Sequence, residues 1–274
     1  MKTIETKLCV GAANPFFAIH LSDTHLTYAD ERDRERKVIL AQKRKIIFEG
    51  SETILSAASQ KSHQYNAPIL HTGDLIDFVS LANLERAKRF FSENDCFVAA
   101  GNHEFSLYVG EAWEDEAYRN QSLALVQSAY PNDIRMSSRI IGGVNFVALD
   151  NGYYLFEDAQ TEFVQEQAKK GFPIVLLLHN PLYEETLFNM LMNPNGGSAG
   201  IVGVPEEKIT AYPPYRLRQQ KADEATKRAL QYFSTETLIK AILCGHVHLS
   251  YEGTWHGIPQ IITGPQELRM IQFS

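Results

Sequence analysis

Six apolar, β-rich runs each end on polar residues: "FFAIHLSD" (16–23), "APILHTGD" (67–74), "CFVAAGNH" (96–103), "VNFVALDN" (144–151), "PIVLLLHN" (173–180) and "KAILCGHVH" (240–248). Runs this continuous suit strands covered on both faces, so helices or a second sheet must lie over them. Helical periodicity fills the intervals, at 42–62, 81–94, 113–129, 158–170 and 222–234. Strand alternating with helix predicts an α/β fold. At 274 residues and 44% hydrophobic, the chain is long enough for one large core, and a single domain over 1–274 is expected.

Two regions depart from this alternation. "IRMSSRIIGGVNFVALD" reads as two short strands joined at Gly142-Gly143, a hairpin. The C-terminal "YEGTWHGIPQIITGPQELRMIQFS" reads as further short strands, which predicts a second sheet. Residues 192–220 are the longest stretch without clear periodicity, and long irregular segments in compact domains are usually functional. A lid is expected there.

Charge and cysteine content narrow the function. A net charge of −7 argues against a surface that wraps nucleic acid or coats an anionic membrane. Cys9, Cys96 and Cys244 are odd in number and lack C-x-x-C spacing, which fits a reducing cytoplasm. Near the N-terminus, "LCVGAANPFFAIHLSD" is broken by Asn14-Pro15 and is too short to cross a membrane. Its second half reads as a strand. A small phosphorylated substrate is the expected partner, and oligomeric state is left open.

Metal-compatible side chains gather where the apolar runs end: Asp23 and His25 in "SDTH", Asp74 and Asp77 in "GDLID", Asn102 and His103 in "GNHE", His179 in "LLLHN", and His246 and His248 in "CGHVH". Ligand sites in open α/β sheets form beyond the carboxyl ends of strands, so residues far apart in sequence can share one cleft. Carboxylates, an amide oxygen and several imidazoles together suit Mn, Fe or Zn better than Mg or Ca, which prefer oxygen-rich shells. Such a set exceeds the needs of one ion and would serve two. Glycines before Asp74, Asn102 and His246 would allow sharp turns at the strand ends.

In this order, D-x-H, G-D, G-N-H-E, H and G-H-x-H, the motifs resemble those of the calcineurin-like metallophosphoesterase superfamily, closest to its bacterial cyclic-nucleotide phosphodiesterase-like branch, over residues 23–248. The resemblance implies a four-layer α/β/β/α sandwich of two mixed sheets flanked by helices, with two divalent transition metals at one sheet edge. It assigns Asp23, His25 and His248 to the first metal, Asn102, His179 and His246 to the second, and Asp74 to both. It also implies that His103, supported by Asp77, protonates the leaving group. Two dications set against Asp23, Asp74 and a bridging hydroxide leave a net charge of about +1, which suits an anionic phosphoryl group attacked in line.

Some positions depart from relatives. Protein phosphatases of the superfamily usually carry Arg-Gly after G-D-x-x-D and an Arg before G-N-H-E; "GDLIDFVS" and "AAGNHE" argue against a phosphoprotein substrate. Many bacterial relatives have a second His where this chain has Asn180, which bears on substrate contacts rather than metal binding. Arg216 and Arg218, inside the expected lid, are candidate phosphate contacts, since guanidinium forks suit phosphate oxygens. Tyr212 and Tyr215 are candidates for stacking on a base or for packing the loop. His20 and His71 read as core or supporting residues, and His256 as a bystander. A nuclease is the catalytic alternative, disfavoured by the acidic net charge. A metal-free protein-binding scaffold is the non-catalytic one, disfavoured because every ligand position is filled.

Overall fold

A computed structural model describes residues 2–110, 115–192 and 197–274. Residues 113–114 of the expected 113–129 helix and 193–196 of the expected lid lie outside the described residues. Among the described residues eleven strands form two sheets. The first holds β1 (Lys2–Leu8), β2 (Phe16–Leu21), β3 (Ile69–His71), β4 (Cys96–Val98) and β11 (Glu267–Phe273), in the order β1-β11-β2-β3-β4. The second holds β5 (Met136–Ile141), β6 (Val144–Leu149), β7 (Ile174–Leu177), β8 (Ile239–Cys244), β9 (Tyr251–Trp255) and β10 (Ile258–Ile262), in the order β5-β6-β7-β8-β10-β9. Each sheet mixes parallel and antiparallel pairs: β2, β3 and β4 run parallel, as do β6, β7 and β8, while β11 against β2 and β5 against β6 are antiparallel.

The period-two pattern sorts side chains into three apolar layers. Ala18, Leu70, Phe97, Phe146, Val175, Leu177, Ala241 and Leu243 meet between the sheets. Their neighbours Ile19, Ile69 and Val98 face outward, onto α2 (Ser51–Tyr65) and α3 (Leu81–Glu93) through Ile54, Leu55, Ala87 and Phe90. On the other side Val147, Leu176 and Ile242 face α6 (Asp158–Ala168) and α10 (Glu224–Thr235) through Val164, Ala229 and Phe233. Three layers between four strata make the α/β/β/α sandwich expected from the motif order. Among the described residues no helix is long and apolar enough to cross a membrane.

Local differences from the sequence reading have identifiable causes. The 42–62 periodicity belongs to two helices, α1 (Glu35–Ile47) and α2. The chain breaks at Phe48–Gly50, where a Cβ on Gly50 would meet the Gln266 side chain at 2.8 Å and Ser51 Oγ donates to the carbonyls of Phe48 and His25. Within 113–129 the described part is α4 (Glu116–Asn120) and α5 (Leu123–Gln127), parted where Ser122 Oγ donates to Phe105 O. Strand β1 gave no sequence signal because it is an edge strand, mostly exposed, whose partner β11 lies at the far end of the chain. The hairpin at Gly142-Gly143 forms as expected, with φ of +58° and +83° at its two central residues.

The 192–220 segment is more anchored than a free lid. It follows α7 (Glu185–Leu191) and contains α8 (Glu206–Ile209) and α9 (Pro214–Gln220), and Val202 exchanges backbone hydrogen bonds with Pro181 and Tyr183. Ala199, Ile201, Val204, Ile209 and Tyr212 are buried in the outer core.

Candidate metal centre

Strands β2, β3, β4, β7 and β8 all end at one edge of the sandwich, and Asp23, Asp74, Asn102, His179 and His246 follow those ends by two to four residues. The two sheets are stitched there by the site itself: the buried Asp23 carboxylate, from the first sheet, accepts from His246 N at 2.8 Å, from the second. Asp23, His25, Asp74, His246 and His248 all take positive φ, between 47° and 69°. Side chains in this region cost free energy, which persists where surrounding structure enforces it and clusters at functional sites. The loops after β2, β3 and β8 thus turn sharply where they carry their ligand-type side chains inward.

Three overlapping groups of side-chain atoms converge among the described residues: Asp23, His25 and His248 form the first, Asp74, His179 and His246 the second, and His25, Asp74 and His103 a third that joins them, with candidate ligand atoms in each within 4.8 Å of one another. Asp74 Oδ2 stands between them, 3.2 Å from His179 Nε2 and 3.7 Å from His25 Nε2. Within the first group His25 Nε2 faces His248 Nε2 at 3.1 Å; within the second His179 Nε2 faces His246 Nδ1 at 3.2 Å. The far sides of the rings are occupied. His179 Nδ1 donates to Thr72 O at 2.7 Å, and His25 Nδ1 lies 3.0 Å from Asp77 Oδ1, so each turns its Nε2 edge to the centre. Lone pairs facing each other beside two buried carboxylates repel unless a cation or proton lies between them, so the donor set fits divalent ions. Asn102, buried behind Gly101, lines the same cleft.

The protonation balance carries the same message. Burial would lower His179, but the Asp74 charge and hydrogen bond outweigh it and lift it to about 9. His246, desolvated and next to His179, is lowered to about 3. Asp74 stays well below the usual carboxylate range despite full burial, because His179 and His103 surround it. The buried carboxylates therefore draw positive charge to the floor of the cleft.

His103 sits beside the pair. Its backbone N–H donates to Asp74 Oδ1 at 2.9 Å, and its Nδ1 donates to Asp77 O at 2.7 Å and lies 3.2 Å from Asp77 Oδ1. Burial opposes protonation, yet Asp74 and Asp77 raise the imidazole to about 10. With Nδ1 committed, Nε2 is the edge left for the cleft. That cleft, of about 800 Å³, is lined by His103, Asn102, His246, Tyr154, Arg44 and Arg216, among others.

Other sequence candidates fall as follows. Arg216 lines the cleft, with Nη1 3.5 Å from Tyr154 Oη, whereas Arg218 lines a separate depression with Arg119 and Glu157 and is not brought to the centre. Tyr215 borders both, and Tyr212 is buried, its hydroxyl accepting from Ala199 N. His20 is held between Thr72 and Thr263, and His71 accepts from Gly73 N, so both support loops from the core. Asn180 turns inward to the carbonyls of Asn151 and Gly152, while Asn151 Oδ1 accepts from His179 N and Asn180 N. His256 is exposed at the β9–β10 turn.

Three residues escaped the sequence reading. Glu104, fully buried, accepts from the backbone N–H groups of Asp74, Leu75 and Gly101 and from Tyr130 Oη, tying two ligand loops together. Its signal was present in "GNHE" but was read only for Asn102 and His103. Tyr154, at φ +68°, places its hydroxyl 3.2 Å from His246 Nε2; "LDNGYY" after a strand end was the clue. Arg44 lies within a helical charge run that offers no clue.

A carboxylate–imidazole centre at the shared edge of an α/β/β/α sandwich is the arrangement of the metallophosphoesterases. The sequence profile of the calcineurin-like phosphoesterases matches residues 18–250, and the chain belongs to that family, as a hydrolase of phosphate esters. No curated protein matches it in sequence. Among solved structures it is similar to a dimetal phosphatase from Danio rerio, at 14% identity and TM-score 0.50 over 91% of this chain and 87% of that one. Other similar structures are the calcineurin-like phosphoesterase YfkN from Bacillus subtilis (11%, TM-score 0.46, 92% and 81%) and a phosphopantetheinyl hydrolase from Mycobacterium tuberculosis (10%, TM-score 0.44, 97% and 91%). At these identities the likeness concerns the fold.

Proposed function

We propose that the protein is a dinuclear metal-dependent phosphohydrolase of small, nucleotide-like or other organic phosphate mono- or diesters, working in the cytoplasm as a single domain over 1–274. The observation that carries this reading is the pair of ligand groups meeting at Asp74, with His103 beside them at the wall of one cleft. Asp23, His25 and His248 would hold one ion, Asn102, His179 and His246 the other, and Asp74 both; Mn, Fe or Zn suits this mixed O/N set. When bound, the ions supply Lewis acidity, lowering the pKa of water and neutralising phosphoryl oxygens.

The chain's own groups do the rest. Asp77 orients His103, which donates its proton from Nε2 to the departing oxygen, a contribution of typically about 10²–10⁴-fold. Arg216, which lines the same cleft, contacts the substrate's phosphate or an adjoining anionic group. The 192–220 segment sets substrate access.

Elemental analysis of protein purified from Mn-supplemented cells tests the metal reading: about two equivalents are expected, and Asp74→Asn should remove most of both. Metal content unchanged in that variant sinks the shared-ligand assignment. His103→Ala should keep the metals yet slow esters with poor leaving groups far more than p-nitrophenyl esters. Hydrolysis of cyclic nucleotides, linear diesters, monoesters and nucleoside diphosphate conjugates then defines the substrate class.

A further inference from the structure

Outside every sequence motif, α1 brings Arg44 to the cleft wall. Its guanidinium closes a fork on Asp77, Nε to Oδ2 at 2.6 Å and Nη2 to Oδ1 at 2.8 Å. The same Oδ1 lies 3.2 Å from His103 Nδ1 and 3.0 Å from His25 Nδ1. On its other side the guanidinium rests over Phe48, 4.9 Å from the ring centre, and Phe48 stacks on His25 at 4.1 Å. A planar fork clamped between a carboxylate and an aromatic face has little freedom to turn. Asp77 is fully buried and Arg44 only 20% exposed, so this pair is not one of the solvated surface bridges whose contribution is small.

An arginine in a phosphoesterase cleft invites the reading of a phosphate contact. Here two of its donor groups, Nε and Nη2, are already committed to Asp77. We infer that Arg44 is instead a positioning residue: the Arg44–Asp77 fork fixes the Asp77 carboxylate, and that carboxylate fixes the His103 ring with Nε2 toward the leaving-group oxygen. This rests on the reading of His103 as the acid. Without Arg44 the buried carboxylate loses two of the four contacts named above and reorients toward water or another donor, and the ring loses its guide.

The test compares R44A and R44K with wild type and H103A, all Mn-loaded, on p-nitrophenyl and phenyl esters of phosphate in both mono- and diester form. R44A should lower kcat on the phenyl esters by about 10- to 100-fold while KM and p-nitrophenyl turnover move by about threefold at most. Guanidinium ion added to R44A should restore part of the phenyl-ester rate, and R44K, which keeps charge without the fork, should show the same leaving-group dependence in weaker form. Should R44A not fold, R44K carries the comparison. In zinc-loaded protein the His103 Nδ1–H proton, identified by its loss in H103A, should give a protected NMR signal in wild type that disappears in R44A.

Equal losses on both leaving groups, a raised KM with kcat retained, or a fall in metal content would each overturn the inference, the second by making Arg44 a substrate contact and the third by placing its effect on His25. If H103A itself shows no leaving-group dependence, the acid reading fails. The NMR signal then decides the positioning claim alone, and its persistence in R44A overturns it.

Discussion

Gly101 and Gly245 precede ligand-type residues without taking positive φ, unlike Gly73 at +96°. Their value is the space a side chain would fill: a Cβ on Gly245 would lie 1.7 Å from Ser22 Oγ and 2.4 Å from Asp23 Oδ2, and one on Gly101 would lie 2.2 Å from Asp74 Oδ1. The glycines were legible in the sequence; the turn geometry expected of all three holds only for Gly73, because close approach between loops cannot be read from one loop. Gly245→Ala should therefore displace Asp23 and lower metal content from about two equivalents to about one, by elemental analysis. Retention of both would show that the loop yields. Glu104 makes a second residue-scale test. Glu104→Gln sets an amide N–H₂ against backbone donors, and should cost about 3 kcal/mol in urea unfolding; a loss below about 1 kcal/mol would mean that the two loops hold without it.

Elements were readable where burial made them continuous. β7 is apolar throughout, and β2 and β8 are interrupted only by His20 and Lys240, so both their existence and the ligand positions after them followed from pattern. α1 and α2 read as one helix because periodicity passes through Phe48–Gly50, and the break depends on tertiary contacts: Phe48 stacked on His25, Gln266 against Gly50 and Ser51 Oγ on the His25 carbonyl. Arg44 was hidden for the same reason, since its role depends on how α1 is laid against the Asp77 loop. At this scale β2 and β3 carry a pH consequence. Burial, with the nearby Arg269, holds His20 well below its ordinary value of 6.5, and burial lowers His71 to about 3. Below about pH 6.5 the unfolded chain takes up protons that the folded one refuses, so stability is lost as pH falls, by up to about 1.4 kcal/mol per pH unit for each group. His20→Gln should flatten the decline between pH 6.5 and 5 by about one such slope, measured by urea unfolding of chelator-treated protein. An unchanged slope would mean that His20 is not held neutral.

Across the whole molecule the site occupies the seam between the sheets: Asp23, His25, Asp74 and Asn102 come from loops of the first, His179, His246 and His248 from loops of the second. Large apolar residues such as Phe146 and Phe273 fill the inter-sheet layer, but at this edge polar groups face one another, the buried His25 and His179 against the more exposed His248 and His246. Bound ions would thus act as rivets between sheets as well as catalysts, and binding only the folded state must stabilise it. At a free concentration one hundred times Kd, each site contributes about 2.7 kcal/mol, a rise in Tm on the order of 5 °C for a chain of this size. Calorimetry with and without Mn should show that rise twice over in wild type and little of it in Asp74→Asn. Hydrogen exchange should place the added protection on the loops at 22–26, 72–77, 100–104, 178–180 and 245–249 from both sheets. Protection confined to one sheet's loops would argue that the ions do not join the two, and that the seam is closed by the protein's own contacts, foremost the Asp23 carboxylate on His246 N–H.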